Sequence, residues 1–514
     1  MATRNKKPAA VHKDFDLVES ISLNEFARKA LYRYGTTTNL ERQVPCLEDG
    51  LKVVHRRALY SMSSYPAGAL IKTAAVAGDT IGKYHPHADT SVSDAIATLV
   101  NLPVSLVFGE GNWGGLLDEA AAPRYTNCRL NRLGRFLLDK DYMHPSVTPM
   151  VPNYSNNLLE PVVMPMRVPY LMLAASSAIG YGINTFVPTF EHTGLFKCVK
   201  RLLENKAYLK PEGEDGISNA DYARMLRLSF TWGGEPDFDT KELRAAYMQF
   251  LHSPEAPVRV RSTLDIDQSS RRVTISGFPV HLDSVENIIS RIRALNLTAK
   301  CEMKVGTNDA FVAVAKRCNA DDFDEWVQAI RKATTGNNHY RCIVTTREAT
   351  VEDGITKYKV ENLQATPVML LKMWVIYRVA LEQAHLKHKI GLVDKDIAYL
   401  DLLLRCSTPE AIDIIASALK MSEAKNPLGF LCKRLELTED EAKTILGLRI
   451  SQLSRVDVAA TEEKIANMRK TRKQLVAWTK NPEEKIALDM DEALECITKD
   501  LAERKASKTQ TLEI

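Results

Sequence analysis

At 514 residues the chain has room for about three or four domains, each able to bury its own core. Hydrophobic residues make up 45% and charged residues 26%, the ordinary balance of a soluble globular protein, and a net charge of only +4 rules out a global basic field, so any nucleic-acid contact must come from local clustering. Nine cysteines stand singly with no Cys-x-x-Cys pair, against a disulfide framework or a zinc site and in favour of a reducing cytoplasm. No apolar run reaches the roughly 18 residues of a membrane span, and Met1 to Lys13 lacks an apolar signal core.

The first unit, residues 1–35, opens on a basic arm (Arg4, Lys6, Lys7, Lys13). A capping box at Ser22 to Glu25 then starts a helix whose Leu23, Ala27, Ala30, Leu31 and Tyr34 share a face, with Gly35 as its stop. The second unit, 36–150, reads as short helices and glycine-punctuated loops. Lys52 and Arg56 stand at i and i+4, so one helical face presents two cations with His55 beside them. A helix from about Ile71 to Ile81, a turn over Gly82 to His87 and a restart near Asp89 to Ser91 outline a helix-turn-helix, with Ala95, Ile96, Leu99 and Val100 buried. The free N–H groups at the start of that second helix suit a phosphate. His85-x-His87 has no cysteine or carboxylate companions, so it reads as a phosphate-binding pair and not as a metal site.

Past the glycine-rich run Gly109 to Gly115, Arg124 directly precedes Tyr125. A phenol ionises only near pH ~10, and a guanidinium beside it can neutralise a phosphate while the phenolate attacks. In residues 151–358, Val258 to Arg261 and Arg272 to Ile275 alternate as a strand pair around a turn at Asp267 to Ser270. In residues 359–490, Ile376, Val379, Leu386, Ile390, Val393, Ile397, Leu400 and Leu404 step as a coiled-coil seam broken at Gln383. Its antiparallel partner is the stretch with Val458, Ile465, Met468 and Leu475, and a compact helical knot with a capping box at Thr438 to Glu441 lies between them. Residues 491–514 read as a short helix and polar tail.

Three blocks carry a family resemblance: Pro45 with Asp49-Gly50-Leu51-Lys52-Val53-Val54-His55-Arg56-Arg57, then Gly82-Lys83-Tyr84-His85-Pro86-His87-Ala88-Asp89, then Arg124-Tyr125-Thr126. In this order and spacing they resemble the A subunit of bacterial type IIA topoisomerases, DNA gyrase and topoisomerase IV. Ala88 departs from the family's glycine and Glu48 from its arginine. Ala175 to Gly182 is similar to the family's Gly-Ser-Ser-Gly-Ile-Ala-x-Gly, with alanines replacing glycines.

The resemblance implies an α+β multidomain fold: a winged-helix cleavage domain (36–150), an α/β tower (151–358), and a long antiparallel coiled coil with a helical dimerisation gate (359–490) that includes Leu437 to Arg449. The N-terminal helix would reach toward the other protomer. Tyr125 would become linked to the 5′ end of a cleaved strand, Arg124 and Arg42 would stabilise the phosphate, and His87 would assist proton transfer. Lys52, His55, Arg56, Arg57, His85 and Thr90 would bind DNA, and Ile179 would wedge between base pairs. Thr90 and Asp94 occupy the places that hold the water–metal bridge to fluoroquinolones.

The sequence has no Gly-x-x-x-x-Gly-Lys-Ser/Thr loop, and its Asp265-x-Asp267, Asp394-x-Asp396 and Asp489-x-Asp491 pairs lack a metal-site context. The resemblance implies that ATP and Mg²⁺ are held by a separate B-type partner, in an A₂B₂ assembly built on a homodimer of the A-type chain, in the bacterial cytoplasm or a phage-infected cell. The residues after 490 are too few for a DNA-wrapping propeller, whose blades need about 40 residues each, so relaxation and decatenation without net negative supercoiling are expected. A tyrosine recombinase would carry its tyrosine near the chain end, and a catalytically silent DNA-binding scaffold would not need Arg42, Arg124 and Tyr125 intact.

Overall fold

The computed structural model describes residues 22–512 except 116–118, 175, 279–284, 295–300, 306–310, 316–319, 353–354, 422–425, 449–452 and 454–456. The basic arm, Ala175 and Arg449 lie outside the described residues.

Helix α1 (Leu23–Thr38) starts where Ser22 accepts a hydrogen bond from Glu25 N at 3.2 Å. It runs through Gly35 instead of stopping there. The glycine answers to packing: a Cβ at this position would lie 3.1 Å from the Cβ of Tyr181. A π-helical turn, Asn39–Gln43, follows at once. The chain then bends at Gly50, whose φ of +68° favours glycine and whose added Cβ would lie 2.3 Å from Leu171 N. That close approach is the physical reason for the glycine in the Asp49-Gly50-Leu51 block.

Helix α2 (Val53–Ser63) buries Ala58, Leu59 and Met62. Strand β1 (Ile71–Lys72) precedes α3 (Thr73–Lys83), so the helix expected from Ile71 begins two residues later, and Ile71 and Lys72 pair with Cys128 and Asn127. Helix α4 (Asp89–Asn101) buries Ala95, Ile96, Leu99 and Val100, as the spacing predicts. Strands β2 (Val107–Glu110) and β3 (Asn127–Leu130) complete an antiparallel sheet of order β1-β3-β2, and α5 (Arg132–Leu137) follows.

A small hairpin of β4 (Met150–Pro152) and β5 (Leu159–Pro161) leads toward a five-stranded sheet. That sheet orders β6 (Ser176–Ile179), β7 (Asn184–Val187), β14 (Thr335–Arg341), β9 (Glu255–Arg261) and β8 (Glu235–Pro236). Helix α8 (Lys241–Leu251) packs on β9, α7 (Asn219–Met225) on α8, and α6 (His192–Leu203) on α7. A separate four-stranded sheet has β10 (Thr263–Asp267), β11 (Arg272–Gly277), β13 (Phe311–Ala315) and β12 (Cys301–Val305) in that order. With α9 (Val285–Ala294) and α10 (Ala320–Ala333) it encloses its own core, Val273, Ile275, Phe278, Ile288, Ile292, Phe323, Trp326 and Ile330 among it.

The expected pairing of Val258–Arg261 with Arg272–Ile275 is corrected by this topology. The turn, fixed by Asp267 accepting from Ser269 and Ser270, joins β10 to β11. Strand β9 instead pairs with β14 and β8.

A hairpin of β15 (Ile343–Glu352) and β16 (Ile355–Gln364) feeds α11, which runs 40 residues from Pro367 to Cys406 behind a Thr366 N-cap. Helices α12 (Pro409–Leu419), α13 (Pro427–Arg434) and α14 (Glu439–Leu446) form a knot around Leu402, Ile415, Leu431 and Ile445, with both halves of the Thr438–Glu441 capping box made. Helix α15 (Val458–Lys480) returns along α11. Arg469 pairs with Asp401 at 3.1 Å and Arg472 with Asp394, a pairing that runs antiparallel. Ile465 and Leu475 are buried there, while Val458 and Ile376 are exposed. The seam therefore does not begin at Ile376: the root of α11 buries Leu371, Trp374, Val375 and Arg378 in the body of the protein instead.

Residues 482–512 differ most from expectation. They form one helix, α16 (Pro482–Leu512), whose Ile486, Met490, Ala493 and Ile497 join the main core. No boundary falls at 490, because these residues form an apolar stripe at i, i+4, i+7 and i+11. No helix among the described residues is long and apolar enough to cross a membrane.

Candidate active site

Tyr125 lies on the short segment that enters β3. Ala74 N donates to Pro123 O (3.2 Å) and Thr73 N to Thr126 O (3.0 Å), and the Thr126 hydroxyl meets that of Thr73 at 2.8 Å. Both sides of the Arg124-Tyr125 pair are thus pinned to the start of α3, while the pair itself faces outward. The Tyr125 ring is 64% exposed, with the Arg124 guanidinium over its face at 4.8 Å from the centroid. Among the described residues nothing hydrogen-bonds the Tyr125 hydroxyl, so it is free to meet a substrate.

A second group of the sequence-selected residues forms a connected chain. Glu160, on β5, receives Arg57 through two bonds of 2.7 Å. Arg57 Nη1 reaches His85 Nδ1 at 3.1 Å, and the His85 and His87 rings meet edge to face at 4.4 Å between centroids. His87 Nε2 lies 3.4 Å from Arg42 Nη2. Burial, then the charges of Arg57, His87 and Arg42, hold His85 down near 4. His87 is lowered by burial, Arg42 and Arg57. At neutral pH the chain therefore presents two guanidinium charges and two neutral imidazoles, beside the start of α4. That helix has no side-chain cap at Ala88, although Thr90 N is met by Asp89 Oδ1 at 2.9 Å; the amides of a helix start suit an anion. Among the described residues no hydrogen bond joins this chain of groups to Tyr125 within the one protomer.

Arg56 does not share that surface. It is 4% exposed, and its Nε and Nη2 bond Asp49 at 2.6 and 3.1 Å. Burial works against the Arg56 charge, and the Asp49 carboxylate more than restores it. The i, i+4 face of Lys52 and Arg56 is thus split. Lys52 stands at the N-cap of α2 and donates to Ser177 O at 3.0 Å, whereas Arg56 points into the protein. His55 is half-buried, and its imidazole is depressed to about 3 by burial and then by Lys52.

Thr90 and Asp94 are exposed one turn apart on α4. Ile179 is 81% exposed at the end of β6. Its support comes from Asn39, which sequence reading missed: Asn39 Nδ2 donates to Tyr181 O and its Oδ1 accepts from Tyr181 N, both at 2.9 Å. A Cβ at Gly180 would fall 2.1 Å from that same Oδ1. Glu160 and Asp49 were missed as well. Only Asp49 carried a signal, its place in the Asp-Gly-Leu block.

One residue of each Asp-x-Asp pair is engaged elsewhere. Asp267 closes a turn, Asp394 pairs with Arg472, and Asp489 is fully buried between Arg167 (2.6 Å) and Arg378 (2.5 Å). Among the described residues no group of three or more His, Cys, Asp or Glu side chains could hold a metal ion.

The family model for the A subunit of DNA gyrase/topoisomerase IV matches residues 42–493. The A subunit of DNA topoisomerase 4 from Escherichia coli (strain K12) is 26% identical over 477 residues, covering 90% of this chain and 59% of that protein. The Pseudomonas aeruginosa protein of the same name is 28% identical over 461 residues, covering 86% and 56%. The A subunit of DNA gyrase from Helicobacter pylori (strain J99) is 25% identical over 484 residues, covering 89% and 54%. The chain spans little more than half the length of these relatives.

Proposed function

This chain belongs to the family of DNA gyrase and topoisomerase IV A subunits, and from that membership and the site's geometry we propose that it is the strand-breaking and rejoining component of a type IIA DNA topoisomerase. The observation that carries the reading is the Tyr125 phenol, exposed and, among the described residues, without a hydrogen-bond partner, on a segment locked to α3.

Tyr125 Oη attacks a backbone phosphorus and the bond from phosphorus to the 3′ oxygen breaks. The phenolic proton leaves, a proton is delivered to the departing 3′ oxygen, and the 5′ phosphate stays on the tyrosine. Rejoining reverses these steps, so the bond energy is retained and sealing needs no ATP. Arg124 and Arg42 offset the charge that grows on the phosphate, where fixed cations count most. His87, neutral and exposed, is the group assigned to proton transfer. Lys52, Arg57, His85, Thr90 and His55 line the path of the duplex, and Ile179 enters between base pairs.

We assign the Mg²⁺ and ATP sites to a B-type partner, as the family membership implies; within this chain Asp267, Asp394 and Asp489 are engaged in a turn and in ion pairs. Two copies of the chain, one tyrosine for each strand, would join two partners as A₂B₂, with α11, α15 and the knot between them as the distal dimer contact.

The test is denaturant trapping. The chain is incubated with its B-type partner, Mg²⁺ and DNA, then quenched with detergent. Protein linked to 5′ ends should appear and should vanish in Tyr125→Phe, whose folding and DNA binding persist. Adduct surviving in that variant would move the chemistry to another residue.

A further inference from the structure

The π-helical turn Asn39–Gln43 carries Arg42, and one residue of a remote strand grips that turn. Arg347 lies on β15, some 300 positions along the chain from its partners. Its side chain is 4% exposed. Nη2 donates to Leu40 O at 3.2 Å and to Glu41 Oε2 at 3.1 Å. Its own amide donates to Glu48 Oε1 at 3.0 Å, and Cys46 Sγ approaches Glu48 Oε2 at 2.8 Å. Two further bonds register the strand against the same segment: Thr345 N to Pro45 O at 2.9 Å and Leu47 N to Thr345 O at 2.8 Å. Tyr358, across the hairpin on β16, lies beneath the guanidinium at 5.4 Å.

Leu40 and Glu41 are the two residues immediately before Arg42. Holding a carbonyl and a side chain there fixes the direction in which Arg42 leaves the turn, and hence its 3.4 Å approach to His87. The other side-chain anchor of the turn, Asn39 on the Tyr181 backbone, holds its first residue, three positions before Arg42, whereas Arg347 holds the two residues next to it. We propose that Arg347 is a positioning residue for the phosphate-binding guanidinium of Arg42, acting through Leu40 and Glu41 without touching DNA. The proposal rests on the assignment of Arg42 made above.

The experiment uses the full chain with its B-type partner and compares Arg347→Met, Arg347→Lys and Glu41→Gln, each with and without Arg42→Ala. The rate of adduct formation at saturating DNA is measured separately from DNA affinity. A displacement of about 1 Å at a phosphate-binding group costs up to about 100-fold in rate. Arg347→Met should therefore slow adduct formation by about 10- to 100-fold while DNA affinity changes by less than about threefold. Arg347→Lys, which keeps one donor, should recover part of the loss. In the Arg42→Ala background, Arg347→Met should add less than about twofold, because the group it positions is gone.

Glu41→Gln loosens the same grip from a partly exposed site and serves if Arg347→Met fails to fold. Its effect should be smaller, of the same sign, and likewise abolished by Arg42→Ala. Losses that multiply in the double variants, or an unchanged rate in Arg347→Met, would overturn the proposal and leave Arg347 as a strut of the junction. A wild-type rate in Arg42→Ala alone would sink the assignment of Arg42 itself and the proposal with it.

Discussion

Replacing Arg56 by alanine separates a DNA-binding cation from a structural one. The Asp49 carboxylate is fully buried and accepts four hydrogen bonds: from Leu51 N (3.0 Å), Met164 N (2.9 Å) and Arg56 Nε and Nη2 (2.6 and 3.1 Å). Arg56→Ala removes two of them together with the only charge that balances Asp49 at contact distance among the described residues. Two charge-assisted bonds at roughly 1.5–3 kcal/mol each give about 3–6 kcal/mol, in line with the roughly 3–5 kcal/mol lost when one partner of a buried pair is deleted. The variant should unfold at markedly lower denaturant, while the dependence of DNA affinity on salt keeps its slope. Lys52→Ala should do the opposite: near-normal stability, and a slope of log affinity against log salt reduced by about 0.9, one phosphate's worth. Equilibrium unfolding and salt titration of binding on the two variants read both quantities. Wild-type stability in Arg56→Ala with a slope lowered by about 0.9 would refute the reasoning and return Arg56 to the DNA-facing surface.

Other perturbations are as specific. Gly50→Ala forces a side chain into left-handed backbone and against Leu171 N; the backbone alone costs about 1–3 kcal/mol, so stability should fall by more than that, and a neutral variant would show that the turn relaxes freely. His85 titrates near 4 in the folded protein against 6.5 when unfolded. The unfolded chain thus takes up a proton first, and stability, complete above pH 6.5, should fall toward pH 4 by up to about 1.4 kcal/mol per unit. His85→Asn should remove that part of the slope, and an unchanged pH profile would count against the depressed imidazole. Asp94→Ala should abolish the weakened fluoroquinolone sensitivity expected from Thr90; full sensitivity that ignores the substitution would dismiss the drug bridge.

The blocks around Asp49-Gly50-Leu51, His85 to His87 and Arg124-Tyr125 were legible because each is a long local pattern, and the helices that carry them follow from apolar spacing. What spacing cannot supply is direction. Lys52 and Arg56 share a face on any helix wheel, yet the partner that turns Arg56 inward is a carboxylate on the preceding loop. Gly35 looked like a helix stop because local propensity cannot see Tyr181, far along the chain. The strand pairing failed for a similar reason: adjacent alternating runs suggest a hairpin, whereas β9 finds β14 after an intervening subdomain, and only β10, itself alternating as Thr-Leu-Asp-Ile-Asp, could have warned of it. The grip of Arg347 on the turn before Arg42 left no trace in either local stretch.

The last helix has a mechanical consequence. Its 31 residues make a rod about 46 Å long. At one end only Asn481, with non-helical backbone, separates it from α15. Along its length the apolar stripe seats it in the main core. Near the other end Asp500 accepts from Arg132 N (3.2 Å) and Leu133 N (2.9 Å), and Glu503 pairs with Arg129 (2.5 Å) and Arg132 (2.6 Å). Arg129 is on β3, the strand that Tyr125 enters. A slack tether here would let the distal helices swing unnoticed. A rod seated along its length ties the position of the distal helices to that of the strand behind the tyrosine.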